Sequence, residues 1–345
     1  MQGFGKRAPA KPRFDLAADL QHWTNKLADP EQEAARSPAG ARRARALLGA
    51  ARAKWHLEDR LGCVRFAILS LADKDLNTPA LAVSAMTQAA FALMELGAIE
   101  QARPLAQHAL MLTRVETLLD QLPIALSCAA AVDSVSGEFD RAEGFHLEAL
   151  ARARQAADLD PLQMALCNLL SSTIAILRHA ALKGDASLAA TVEHRSRPHL
   201  LHARHLKDDP RLSPWRRLIL QQNLGEFLGL CGVPPEGEAL LAECLAQATA
   251  LADPQMAQAV ATVLAEQLAA RGQHQDALAL LGTHVRADMP HRGGFRRRLE
   301  ATRTAEACLR HLGRADEAAR MAQRIARDLR EWETLRAEAI RLLPA

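Results

Sequence analysis

Apolar residues recur three and four positions apart along most of the chain, the spacing of one face of an α-helix. The clearest stretch starts at Thr78. There TPALAVSAMTQAAFALMELG supplies an outgoing helix and AIEQARPLAQHALMLTR a return helix, with Pro79 pre-setting the first turn after Thr78 as its cap. A glycine follows each apolar segment: Gly97, Gly137, Gly184, Gly232, Gly272 and Gly313, at spacings of 40, 47, 48, 40 and 41 residues. Five residues beyond each lies a small residue: Ala102, Ala142, Ala189, Gly237, Ala277 and Ala318. Glycine just past a helix end accepts the left-handed backbone that turns the chain. The small residue then lets the returning helix approach to about 8–10 Å. Each unit is therefore a helical hairpin. Six are predicted, over 78–115, 117–158, 160–206, 213–252, 254–287 and 293–341, with a seventh over 38–74. Helix starts at Asp160-Pro161, Ser213-Pro214 and Asp253-Pro254 repeat the cap-then-proline pattern.

With these turn glycines and the alanines behind them, the chain resembles the tetratricopeptide repeat family from about residue 38 onward. Asn223-Leu224-Gly225 looks like that family's outgoing-helix motif, in which the glycine permits close packing. The repeats here run to 40 residues or more, against about 34 in the family, and Leu, Ala or Met replace most of its large aromatics. Long, aromatic-poor repeats of this kind are similar to helical regions of bacterial transcription activators and of chains that end in a GGDEF-type diguanylate cyclase domain. The expected fold is all-α, a right-handed α-solenoid of six or seven antiparallel hairpins. Residues 1–37 are expected to form a flexible basic N-terminal arm and 38–345 the solenoid, ending in a long capping helix.

Composition narrows the function. Hydrophobic residues make up 49% and charged ones 24%, which supplies a core and excludes wholesale disorder. Eight Phe, four Trp and no Tyr amount to 3% aromatic. That is too few for the base-stacking platforms of single-strand nucleic-acid binders, and the shortage of β-branched residues argues against β architectures. The net charge of +3 compels no nucleic-acid or membrane partner. The basic residues Lys6, Arg7, Lys11 and Arg13 sit in a Gly- and Pro-containing stretch without the apolar run of a signal peptide. The uncharged stretch Thr78–Met94 contains Thr, Ser and Gln and fits a buried helix better than a membrane span. The six cysteines, Cys63, Cys128, Cys167, Cys231, Cys244 and Cys308, form no C-x2-C pair and read as core residues in a reducing, cytoplasmic setting.

The sequence contains no G-x4-G-K-[ST], no strand-led G-x-G-x-x-G and no H-E-x-x-H, so no catalytic residue, cofactor or metal is assigned. His199, His202 and His205, with His194 nearby, are spaced so that two could share a metal, but the Arg-rich surroundings favour a solvated face. Arg296, Arg297 and Arg298 point in different directions around one helix and Arg303 and Arg310 share a face; the segment reads as a solvated, charge-rich surface, with contact to an acidic protein or to nucleic-acid phosphate as the alternative. Solenoids bind along their concave side, which the outgoing helices line. Positions nine and ten before the turn glycines carry Thr87 and Gln88, Ser127 and Cys128, Gln222 and Asn223, and Arg303 and Thr304. The family resemblance implies that these polar groups, with Arg178, Glu226, Glu266 and Arg310, face the groove. Ile325, Leu329, Trp332, Leu335, Ala339 and Leu342 form a stripe on the last helix that would cap the solenoid or mediate a homodimer. The expected function is a non-enzymatic scaffold for a protein or peptide, with no nucleic-acid or membrane partner. The alternative is a sensory or regulatory region acting through a separate output domain.

Overall fold

A computed structural model describes residues 30–37, 40–73, 78–155, 159–231, 233–285 and 294–343. Among these there are helices and turns but no strand. The helices are α1 (30–36), α2 (Ala41–His56), α3 (Arg60–Leu71), α4 (Pro79–Glu95), α5 (Ile99–Val115), α6 (Leu122–Val135), α7 (Phe139–Ala153), α8 (Leu159–Lys183), α9 (Ala186–Lys207), α10 (Pro214–Leu230), α11 (Pro234–Ala250), α12 (Pro254–Ala270), α13 (His274–His284), α14 (Gly294–His311) and α15 (Ala315–Arg341). From α2 onward they pair as seven antiparallel hairpins, an all-α, right-handed solenoid. The arm expected over 1–37 lies outside the described residues up to 29. Its last part is helical, and Ala34 packs on Ala46 and Leu47, so folded structure starts ahead of residue 38.

The turns follow from the glycines. Gly137 has φ of +84°, and the chain closes around it with Glu138 N–H donating to Asp133 O at 2.9 Å and Gly137 N–H to Ser134 O at 3.3 Å, the paired bonds that end a helix at a left-handed residue. Gly97, Gly184, Gly272 and Gly313 share the positive φ; Gly232 lies outside the described residues. In the first hairpin Glu58 takes that conformation, with φ of +62°, so no glycine marks this repeat in the sequence.

Apart from the half-buried Ala189, the small residues do what their positions predict. Ala102, Ala142 and Ala277 are fully buried, and Ala318 is nearly so. At Gly237 a methyl group would stand 2.7 Å from Gly225 O and 2.8 Å from Gly229 N. Backbone meets backbone there, and neither side can move aside. Gly237→Val is therefore expected to destabilise the chain by about 1–3 kcal/mol. Gly144→Ala, on α7 with nothing within 4 Å of the added methyl, should stabilise it by about 0.5–1 kcal/mol through helix propensity. Urea unfolding of the two variants checks the opposite signs.

Each outgoing helix packs against the next outgoing helix, from α2 on α4 through to α12 on α14, whereas successive return helices do not pack closely on one another. The outgoing helices thus form the inner, concave layer. On α10, residues 220–228 are all buried, and on α12, residues 255–265. Of the helices, residues 161–183 are long and apolar enough to cross a membrane, and most of that stretch is buried inside the protein.

The two ends of the array meet. Helix α15 packs on α3, and α14 touches α4. Ala339 is fully buried in one cluster with Ala51, Cys63, Val64 and Ala67, flanked by Leu335 and Leu342. The Trp332 ring lies so close to Gly97 that a methyl group there would overlap it, and it stacks on Phe295 at 5.7 Å. Of the apolar stripe expected to cap the solenoid or bind a second copy, Trp332, Leu335, Ala339 and Leu342 pack against the chain's own first hairpins.

Candidate binding surface on the inner face

One side chain from each of three inner helices, and two from the fourth, meet in a single ionic network. Arg178 on α8 donates from Nη2 to Glu226 Oε1 on α10 at 2.9 Å and to Glu266 Oε2 on α12, and its Nη1 lies 3.6 Å from Glu300 Oε1 on α14. Arg297 on α14 donates to Glu226 Oε2 at 2.6 Å and to Glu300 Oε2 at 3.0 Å. Glu226 is only 1% exposed and Arg297 9%. Buried charges persist only when paired and hydrogen-bonded, and here both oxygens of Glu226 accept from guanidinium groups. Burial alone would push the Glu226 carboxyl up; Arg297 and Arg178 override it and hold the group at about 2. At Glu266 burial prevails, helped by repulsion from Glu300, and its affinity for a proton is raised despite Arg178.

Arg178 spans from α8 to three other inner helices. On α14, Glu300 joins the network and Arg296, at 3.2 Å from Glu300, shares its face. Arg303 and Arg310 follow at intervals of seven. Arg303 is exposed, as is Arg310, which pairs with Glu306 of its own helix.

Among the sequence-predicted residues, Arg178, Glu226 and Glu266 are brought together, while Arg303, Thr304 and Arg310 lie further along α14. Thr87, Ser127, Gln222 and Asn223 are buried. Thr87 Oγ1 donates to Val83 O at 3.0 Å within its own helix, and Asn223 Nδ2 to Cys167 O at 3.5 Å. Gln88 is half-buried and its amide reaches Cys63 Sγ at 3.3 Å. Asn223 and Gln88 thus bridge neighbouring helices, while Thr87 bonds within α4. Arg297 and Glu300 were missed. The run Arg296–Arg298 is not a uniformly solvated surface: Arg297 points into the network and Arg298 lies 3.6 Å from Asp328 and 3.4 Å from Glu331 on α15.

The other candidate chemistry stays apart from this surface. His202 Nδ1 lies 3.3 Å from Arg154 Nη2, and no group of three metal-ligating side chains occurs among the described residues. Burial raises the thiols of Cys63, Cys167, Cys231 and Cys244 to about 12, so they stay protonated and poorly nucleophilic at neutral pH.

No protein-family model matches the chain, and no curated protein matches its sequence. Among solved structures, the crystal structure of a Rap protein complexed with Competence and Sporulation Factor is similar, with a TM-score of 0.58 at 11% identity, over 95% of this chain and 90% of that one. At that identity the likeness bears on the fold. This chain has the TPR-like helical repeat fold.

Proposed function

We propose that the chain is a non-enzymatic scaffold that holds a protein or peptide segment against its inner face, and that the segment is acidic. The observation that carries this reading is the stripe of Arg296, Arg303 and Arg310 beside the ionic network. Successive guanidinium groups seven residues apart stand about 10.5 Å apart along the helix. A peptide in the polyproline II conformation advances about 3.1 Å per residue with about three residues per turn, so acidic side chains three positions apart lie on one face at roughly that spacing. The network supports the stripe from below: Glu226 and Arg297 fix the helices, and with its carboxylates already held by Arg178 and Arg297 it offers an incoming anion little repulsion. The likeness in fold to a Rap protein that was solved with a bound factor agrees with a binding role.

A random peptide library displayed on phage tests the reading. Peptides retained by the full chain should carry Asp or Glu at three-residue intervals, and Arg303→Glu should lose at least about tenfold in affinity, since each charge-assisted contact is worth roughly 1.5–3 kcal/mol. Enrichment of peptides without acidic residues, or binding indifferent to Arg303→Glu, would refute it.

A further inference from the structure

A second feature lies on the outer side, away from the arginine stripe. A cavity of about 260 Å³ opens between the return helices α7 and α9, with α8 as its floor. It occurs where the repeats are longest, on either side of Gly184, with spacings of 47 and 48 residues. Ala189, the small residue behind that glycine, is only half-buried, whereas Ala102, Ala142 and Ala277 are fully buried. Helix α9 therefore stands off, and the gap is bridged at its mouth by Arg195, which pairs with Asp140 at 2.8 Å and Glu143 at 3.0 Å.

His146 is the decisive wall residue. It is 1% exposed, its Nε2 lies 2.7 Å from Ser172 Oγ, and its Nδ1 is buried without a hydrogen-bond partner. An unmet buried polar atom costs roughly 1–3 kcal/mol, and here it belongs to a side chain lining an open cavity. We propose that this cavity is a binding site for a small, uncharged, ring-bearing molecule that donates a hydrogen bond, of the phenol or indole type.

The class follows from four properties of the wall. Burial lowers the proton affinity of His146, to about 4, and of His199, so both imidazoles are neutral at pH 7. The cation at the mouth is already shared by two carboxylates, which disfavours an anion. Thr173, Ser134, Thr191 and Ser196 each donate to a carbonyl of their own helix, at 2.8–2.9 Å. Their remaining lone pairs accept, as does His146 Nδ1 in the tautomer whose Nε2–H donates to Ser172 Oγ, so the occupant must donate. Phe139, Leu169, Ile176, Leu188 and Val192 supply apolar surface for a ring, and the volume suits one or two rings, just below the usual range of ligand pockets.

The test is a titration of the full chain, with ring nitrogens labelled at histidine, using phenol, indole, toluene and benzoate. Phenol and indole should shift the His146 Nδ1 resonance and bind with a dissociation constant of at most about 1 mM. Toluene, which cannot donate, and benzoate, which is charged, should bind at least about tenfold more weakly. Leu188→Trp, which fills the cavity from α9, and His146→Phe should each abolish phenol binding; a circular dichroism melt shows which variants fold. The proposal is overturned if no probe moves the His146 resonance, which leaves water as the only occupant. It is equally overturned if toluene binds as tightly as phenol, or if a folded Leu188→Trp chain binds phenol like the wild type.

Discussion

Arg297→Met is expected to destabilise the chain by about 3–5 kcal/mol, the usual cost of breaking a buried ion pair from one side. The substitution leaves Glu226 buried, with Arg178 as its remaining partner. The double variant Arg297→Met with Glu226→Gln should recover a large part of the loss, because no uncompensated carboxylate remains. Denaturant unfolding of the two singles and the double gives the coupling directly; equal and additive losses would show that the network contributes nothing as a unit. Acid titration should show two opposed effects. Glu226 has a folded-state value of about 2 against an ordinary 4.5, so its contribution is present above 4.5 and disappears as the pH falls toward 2. Glu266 is shifted upward, so its ionisation opposes folding, and acidification through its range stabilises the fold. Stability should therefore hold or rise slightly on first acidification and fall steeply below about pH 4.5; Glu266→Gln should remove the first phase alone.

The second large effect is expected at the closure. Ala339→Glu places a carboxylate in the fully buried cluster of Ala51, Cys63, Val64 and Ala67. A loss of at least about 3 kcal/mol is expected from desolvation and overpacking together. The location of the damage is the more specific readout. Amide hydrogen exchange should accelerate in α3 and at the α4–α5 turn, far away in sequence, as well as in α15. Acceleration confined to α15 would mean that the ends do not support each other. Light scattering should show the same mass for the wild type and the variant, since the stripe is satisfied within one chain.

The hairpins were legible because their signals are local. A positive φ at Gly137 and a backbone contact at Gly237 depend on residues a few positions or one helix away, and such needs leave glycine in the sequence. The first hairpin was harder to read, since Glu58 makes the same turn without glycine. Counting back from the glycines found the inner helices, but Thr87 and Ser127 on them are buried, because exposure depends on how closely the neighbouring helices pack. Arg297 and Glu300 were invisible for a related reason. Their partners Arg178 and Glu226 lie on two other hairpins, and a run of three arginines on one helix carries no mark of which one turns inward. The cavity beside His146 left one trace, the longer repeats on either side of Gly184.

The closure also has a temporal side. Trp332 Nε1 donates to Glu95 O across 237 residues of chain, and at about 5–20 residues per second of synthesis that span takes roughly 12–47 s to make. Throughout that interval the part of α3 that α15 covers is exposed, although α2 and α4 already pack on the rest. A nascent chain would therefore present its first hairpins to chaperones until the last helix leaves the ribosome.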